Sequence, residues 1–467
     1  MSFLIVLAAL CFLMFVAYRG YSVILFAPIA ALGAVLLTDP SLVAPMFTGL
    51  FMDKMVGFLK LYFPVFLLGA VFGKLIEISG FSKSIVAAVI KLFGAERAML
   101  SIAVVSALLT YGGVSLFVVV FAVYPFAAEL FRQSNIPKRL IPATLALGGF
   151  TFTMDALPGT PQIQNIIPTA FFGTNTWAAP WLGVSGSIFI LVLGMTYLEW
   201  RKRKAFEAGE GYGDPATLIN EPAPFSGGKL ASAWIAIIPL LLVTVCNKIF
   251  TLLIPHLYGE SHEFIPAVMG ASTPVVQEIA KVGAIWAVQG ALLVGILAVL
   301  ALAWKPVTQS FAEGTKAAIG GSLLAAMNTA SEYGFGAVIA ALPGFLVVAN
   351  ALSSISDPLV KQAVTVTSLA GITGSASGGL SIALAAMSDT FIANGIAAGI
   401  PMEVLHRVAA MASGGMDSLP HNGAVITLLA VTGLTHKQSY KDIFAITIIK
   451  TLAVFFIIGI YYSTGAV

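Results

Sequence analysis

The chain reads as a succession of apolar runs separated by short polar connections. Such runs lie near 2–17, 22–37, 56–78, 98–109, 114–131, 139–172, 183–199, 231–254, 284–304, 318–342, 345–356, 363–376, 379–394, 403–432 and 443–463. A helix that crosses a bilayer needs about 20 apolar residues, and several runs are shorter. The pairs 98–109 with 114–131 and 363–376 with 379–394 are joined by very short Gly/Ser turns. This pattern predicts two re-entrant hairpins, about 98–131 and about 363–394, that dip in and return to the same side; two ordinary spans with a tight loop are the alternative. The alternating segments of a transmembrane barrel are absent. The expected fold class is an all-α polytopic membrane protein.

The pattern also predicts two halves. The long polar stretch 200–229 opens with Arg201-Lys202-Arg203-Lys204 and separates residues 1–199 from 230–467; a less polar connection spans about 255–283. Each half has a Gly-Gly-x-Ser motif (Gly112-Gly113-Val114-Ser115; Gly378-Gly379-Leu380-Ser381), which marks the expected hairpin tip. Next comes Ile-Pro (Ile136-Pro137; Ile400-Pro401), then Gly-Gly (Gly148-Gly149; Gly414-Gly415). Last comes Met-Asp-x-Leu-Pro, at Met154 to Pro158 and Met416 to Pro420. Four matches in one order, offset by roughly 264 residues, point to an internal repeat. An acid and a proline inside apolar sequence break a helix, which is tolerated in a membrane only where backbone lines a cavity or packs on protein. The expected broken helices are about 139–172 and about 403–432.

Charge sets the orientation. With the N-terminus outside, Arg19, Lys83, Lys91, Arg97, Arg132, Lys138, Arg139, the run 201–204, Lys305, Lys316, Lys437 and Lys441 all fall on the cytoplasmic side; Lys361 and Arg407 are exceptions. The second hairpin then enters from outside, so the repeats are expected to be inverted, and 200–229 to be a cytoplasmic linker.

Composition agrees: 58% of residues are hydrophobic, 10% are charged and the mean hydropathy is +0.96. A soluble domain carries roughly 25% charge. No basic stripe with aromatics suggests nucleic acid. Cys11 and Cys246 sit in apolar runs and are expected to be small buried hydrophobes, with neither disulfide nor metal site. Residues 2–17 lack a basic flank and cleavage site and are expected to be a retained helix. No cofactor motif, nucleophile elbow or Walker sequence is present. Gly211-Tyr212-Gly213-Asp214 matches an intramembrane protease pattern, but in the polar linker, where it has no function.

The candidate chemistry clusters at the tips and breaks. Thr110, Gly112, Gly113 and Ser115, and Ser375, Ser377, Gly378, Gly379 and Ser381, combine close backbone approach with hydroxyls, and a helix starting after each tip offers free N–H groups to an anion. The alternative is helix packing by small residues. The first break adds Asp155, Gly159, Thr160, Gln162 and Asn165; the second adds Asp417, His421 and Asn422. Asp155 and Asp417 suit proton coupling or helix capping. His421 suits a proton relay or a structural hydrogen bond. Glu332, in the polar cluster Asn328 to Gly334, is a further proton candidate, with an interfacial position as the alternative. His406 is expected at an interface, and the deep site shows no convincing Lys or Arg.

At these motifs the chain resembles the gluconate permease (GntP) family of the ion transporter superfamily over essentially its whole length. It most resembles the D-β-hydroxybutyrate permease branch. The most specific stretch is Met411 to Ala424, followed by Thr432-Gly433-Leu434-Thr435-His436, with Asp155 to Asn165 as counterpart. The Ser-His-x-Asn-Asp pattern expected of sugar-acid permeases at the second break is absent, which favours a hydroxy acid smaller than gluconate. The resemblance implies secondary active uptake of an organic monocarboxylate, usually with protons, across a bacterial inner membrane. It also implies a homodimer, each subunit having a scaffold and a mobile transport domain that moves as an elevator. A sodium-coupled citrate or dicarboxylate carrier is the nearest alternative; an intramembrane aspartyl hydrolase using Asp155 and Asp417, or a passive channel, is more remote.

Overall fold

The computed structural model describes residues 2–19, 21–94, 97–213, 218–222, 230–265, 274–345, 347, 354–420 and 422–467. It is all-α apart from one small strand pair. Helix α1 (Ser2–Tyr18) pairs with α2 (Val23–Thr38), and α3 runs the length of Pro40–Ile78. Helix α4 (Phe81–Phe93) leads to the helix pair α5 (Ala98–Tyr111) and α6 (Leu116–Gln133). An interrupted helix follows: α7 (Ile141–Gly149), the single turn α8 (Phe152–Asp155) and α9 (Ile163–Phe172). Helix α10 (Pro180–Glu207) closes the first half.

The second half has its own helix pair, interrupted helix and closing helix in the same order. Helix α11 (Ala233–Tyr258) pairs with α12 (Ile279–Leu302), joined through the antiparallel strands β1 (Ser261–Phe264) and β2 (Val275–Glu278). Helix α13 (Trp304–Ala341) packs along α3. The second helix pair is α14 (Pro358–Thr373) and α15 (Ala376–Ala397); the second interrupted helix is α16 (Met402–Ser413) and α17 (Gly423–Thr432); α18 (His436–Thr464) ends the chain. The interval from the last residue of α5, Tyr111, to Asp155 equals that from the last residue of α14, Thr373, to Asp417. Both α9 and α17 are 10 residues long and stop at a glycine with positive φ, Gly173 and Gly433. Among the described residues, six helices are long and apolar enough to cross a membrane by length and composition, and α15 is one of them.

Local chemistry explains the boundaries. Ser115 starts α6 by accepting the Val118 N–H at 3.5 Å, and Asp357 starts α14 by accepting the Val360 N–H at 2.8 Å, with Pro358 at the first helical position. Thr435 and Gln438 form a capping box at α18.

The halves interlock: α9 packs on α15, and α17 packs on α6. The connection after α10 is also tied down. Helix α10 runs on through Arg201 to Lys204, so the irregular part begins only at Ala208. Lys138 binds Glu221 at 2.7 Å and the Ile219 carbonyl at 2.7 Å, while the Asn220 amide donates to the Ala430 carbonyl. Arg139 grips Glu210 with two hydrogen bonds, which hold that carboxyl below its ordinary value. Buried Asp442 accepts from Arg139, Arg201 and Tyr197.

Two expectations change. The second tip is Gly374-Ser375, not the Gly378 to Ser381 motif, which lies inside α15. The reason is capping: the Ser375 hydroxyl accepts the Gly378 N–H at 3.0 Å and starts the helix six residues before Ser381. Cys11 lies on the exposed outer face of α1 and Cys246 is half-buried, so neither is a core residue. The connection 255–283 contains a strand pair. The segment 345–356, Asp214 and His421 fall wholly or partly outside the described residues.

A side chain on Gly379 would run into the Ala370 backbone, which is why α14 and α15 approach so closely. Gly379→Ala is expected to cost about 2 kcal/mol and lower the thermal midpoint of detergent-purified protein. Gly459→Ala in α18, where a Cβ meets nothing within 4 Å, should leave the midpoint unchanged or raise it slightly.

Candidate functional site

Two interrupted helices create the site. In the first, Pro158, Gly159 (φ +80°) and Pro161 prevent helix between Asp155 and Ile163. Side chains take over the freed backbone. Thr160 donates to the Thr153 carbonyl at 2.7 Å, and Asn165 donates to the carbonyls of Thr160 and Thr176 at 3.0 and 2.9 Å. Asn247 of α11 donates to the Gly159 carbonyl at 3.0 Å. In the second, Gly414-Gly415 ends α16, and Asn422 restarts α17 by accepting the N–H groups of Ala424 and Val425 at 2.7 and 2.9 Å.

Each interruption is stitched to the helix-pair tip of its own half. Gln162, the residue before α9, donates to the Thr110 carbonyl at 2.7 Å at the end of α5. Asn422, the residue before α17, donates to the Gly374 carbonyl at 2.7 Å at the end of α14. An amide therefore fixes each tip against the start of the following half-helix.

The two tips and both interruptions border one cavity of about 1010 Å³. Its wall includes Gly113, Ser115 and Gln162 from the first half and Ser375, Ser377, Asp417 and Asn422 from the second; Asn328, Thr329 and Glu332 of α13 and the Lys74–Glu77 ion pair of α3 also line it. Ser115, Gln162, Ser375 and Asn422 are the residues that open α6, α9, α15 and α17. Four helix N-termini thus meet at a single cavity, each presenting the positive end of a helix dipole; Ser115, Ser375 and Asn422 cap three of them, and Gln162 leaves α9 without a side-chain cap. Glu332 is buried, and its carboxylate lies against Ser375 and Gly378 at the start of α15. Its Oε2 has no hydrogen-bond partner among the described residues.

The other singled-out residues lie behind this wall. Thr110, Thr160 and Asn165 are buried in the framework of the first tip and break. Gly112 is pressed by Leu240 and Gly159 by Trp177; Gly379 and Ser381 pack inside α15. Asp155 is buried away from the cavity.

Besides Lys74 on the wall, two buried cations contradict the expectation of a deep site without Lys or Arg. Lys450 of α18 is buried; its ammonium donates to the Phe150 carbonyl at 2.7 Å and to Asp417 Oδ1 at 3.0 Å, and lies 3.9 Å from Asp155 Oδ2. The Met-Asp-x-Leu-Pro aspartates of both halves therefore converge on one ammonium. Gly414 makes this meeting possible, because any side chain there would overlap the Asp155 carboxylate and Lys450. Arg407 of α16 is fully buried and donates to the Asp155 main-chain carbonyl (3.0 Å), Asn165 Oδ1 (2.9 Å) and the Ala178 carbonyl (2.7 Å). Its neighbour His406 is buried too, not interfacial, with Nδ1 2.6 Å from the Thr174 hydroxyl. The carbonyls released by the first break recruit these groups from the second half. A lone Lys in an otherwise apolar run is the signal that could have found Lys450.

A cavity bordered by interrupted helices, with polar groups at their ends, within an all-α polytopic membrane protein is the build of a membrane transporter. The chain is 57% identical over 475 residues, covering 100% of both proteins, to the "Uncharacterized transporter YxjC" of Bacillus subtilis (strain 168). It belongs to that transporter family. No protein-family model matches it. Among solved structures, the YdaH transporter of Alcanivorax borkumensis, described as having an unusual topology, aligns with a TM-score of 0.50. The alignment covers 92% of this chain and 90% of that one, at 15% identity.

Gly414→Ala should push Asp155 off Lys450, at a cost of about 2–3 kcal/mol. The expected readouts are a lower thermal midpoint and reduced solute uptake. Gly423→Ala, with nothing within 4 Å of its Cβ, is the control for the midpoint.

Proposed function

We propose that the protein is a secondary active transporter that takes up a small hydroxy-monocarboxylate together with a proton across a bacterial inner membrane. The observation that carries this reading is the convergence of four helix N-termini, at Ser115, Gln162, Ser375 and Asn422, on one cavity. Such ends favour an anion, because their N–H groups and dipoles need no mobile counter-ion. Discontinuous helices aimed at a substrate carboxylate are a recurring transporter device. The hydroxyls of Ser375, Ser377 and Thr329 and the amide of Asn328 suit a hydroxylated partner, and the resemblance to the gluconate permease family supports a 3-hydroxybutyrate-like or gluconate-like acid. The carboxylates of Asp417 and Glu332 on the same wall are where a coupling proton would bind; Asp155 and His421 are the further candidates.

The recurring order of elements, with matching tips and interruptions, supports two inverted repeats, 1–199 and 230–467, around a cytoplasmic linker at 200–229. In this reading α5–α6 and α14–α15 are re-entrant hairpins. They move with the interrupted helices as an elevator against a scaffold containing α3 and α13, within a homodimer. A sodium-coupled dicarboxylate carrier is the alternative that the site chemistry leaves, since the cavity-facing carboxylates and freed carbonyls also suit Na⁺. An aspartyl hydrolase is disfavoured, because Asp155 is walled off from the cavity and both aspartates are engaged by Lys450.

Proteoliposomes given an acid-outside gradient without sodium should accumulate 3-hydroxybutyrate, and a protonophore should abolish accumulation. Uptake that requires sodium and ignores pH contradicts the proton reading. Ser375→Ala and Ser115→Ala should each raise the half-saturating concentration about fivefold, the effect of losing roughly 1 kcal/mol of hydrogen bonding.

A further inference from the structure

A lysine inside a membrane protein is costly unless it is paired, so a buried lysine in the apolar helix α18 calls for a reason. Lys450 is 2% exposed and reaches three groups on two interruptions: the Phe150 carbonyl, Asp417 Oδ1 and, at 3.9 Å, Asp155 Oδ2. The two carboxylates are not equivalent. Asp417 faces the cavity and also accepts from the Ser418 hydroxyl at 2.9 Å, whereas Asp155 lies behind the wall and its Oδ2 has no hydrogen-bond partner among the described residues. The other charged and titratable groups around the pair are engaged elsewhere. Arg407 serves main-chain carbonyls and Asn165, Tyr111 donates to the Pro158 carbonyl, Tyr440 donates to the Ser418 carbonyl, and His406 contacts Thr174 and Asn165. One ammonium therefore stands against two carboxylates, one of which borders the substrate space.

We propose that Lys450 is the positioning residue of proton coupling: it is the fixed positive charge against which the Asp155–Asp417 pair takes up a proton when an anion occupies the cavity. This rests on the proton-coupled reading above. With both aspartates ionised, Lys450 balances one of them, and the remaining negative charge opposes an incoming anion through Asp417. A hydronium ion from the acidic side gives up a proton, which forms an O–H bond at the open carboxylate oxygen of the pair, and is left as water; this removes that charge while Lys450 keeps its bonds to Asp417 and Phe150. Anion and proton then enter together and leave together, the O–H bond breaking to water on the far side. Because Phe150 and Asp417 belong to different interruptions, the proton state is felt by both.

The test uses the full-length protein and two readouts. The first is the thermal midpoint in detergent from about pH 6 to about pH 9. In K450M two carboxylates face each other without a cation and coexist only while one holds a proton. The midpoint should stay near wild type at the acid end and fall about 5 °C or more below it at the alkaline end. K450R should restore it, and D155N/D417N/K450M should be flat with pH. A K450M deficit equal at every pH assigns Lys450 to packing alone and overturns the proposal. The second readout is 3-hydroxybutyrate transport in proteoliposomes. K450M should retain counterflow and lose gradient-driven accumulation, and K450R should accumulate. If K450M does not fold, K450R and the triple variant carry the comparison, the triple variant giving counterflow that is indifferent to pH. K450M that still accumulates against a proton gradient overturns the proposal. Wild-type protein that accumulates no hydroxy acid overturns the symport reading instead, and the pH profile of the midpoint still decides the charge role of Lys450.

Discussion

A helix interrupted within apolar surroundings releases N–H and C=O groups that hydrocarbon cannot satisfy, and everything distinctive in this structure answers that constraint. The carbonyls go to cations and amides: Arg407 takes those of Asp155 and Ala178, Lys450 takes that of Phe150, and Gln162 and Asn422 take those at the two tips. The restarted helices begin at the cavity, α17 with its first N–H groups capped by Asn422 and α9 with no side-chain cap. The first interruption is satisfied by its own Thr160 and Asn165, by Tyr111, and by Asn247, Arg407 and Lys450 from the second half.

This arrangement separates two jobs that both need charge. The cavity wall carries the helix N-termini, and the space behind it carries the Lys450 cluster, with Asp417 belonging to both. Helix α9 packs on α15 and α17 on α6, so each interruption is in direct contact with the opposite helix pair. Gly414 shows how tightly this is specified: its missing side chain is the room in which the Asp155 carboxylate approaches Lys450.

The sequence made the all-α membrane class legible through the length of its apolar runs, and Pro158, Gly159, Pro161 and Pro420 announce where helix stops. It misplaced the second tip because Gly378-Gly379-Leu380-Ser381 imitates the first-half motif, while the actual stop is set by Gly374 and the Ser375 cap. It missed Lys450 and Arg407 for a different reason. Hydropathy averages over a run, and one cation among apolar residues hardly changes the average, so partners that join only in three dimensions leave no local trace. His406 misled in the same way, since its place beside a helix start gave no sign that α16 is enclosed from Val404 onward.

The central claim is that the cavity is an anion site built from helix N-termini. It is tested most directly by thermal stabilisation of the detergent-purified protein across a panel of small organic acids, their amides and matched cations, since a ligand that binds only the folded state raises the midpoint. The account predicts stabilisation by short hydroxy-monocarboxylates, little by their uncharged amides, and loss of the effect in Asn422→Ala. Stabilisation by the amides or by cations, with none by the acids, would contradict it.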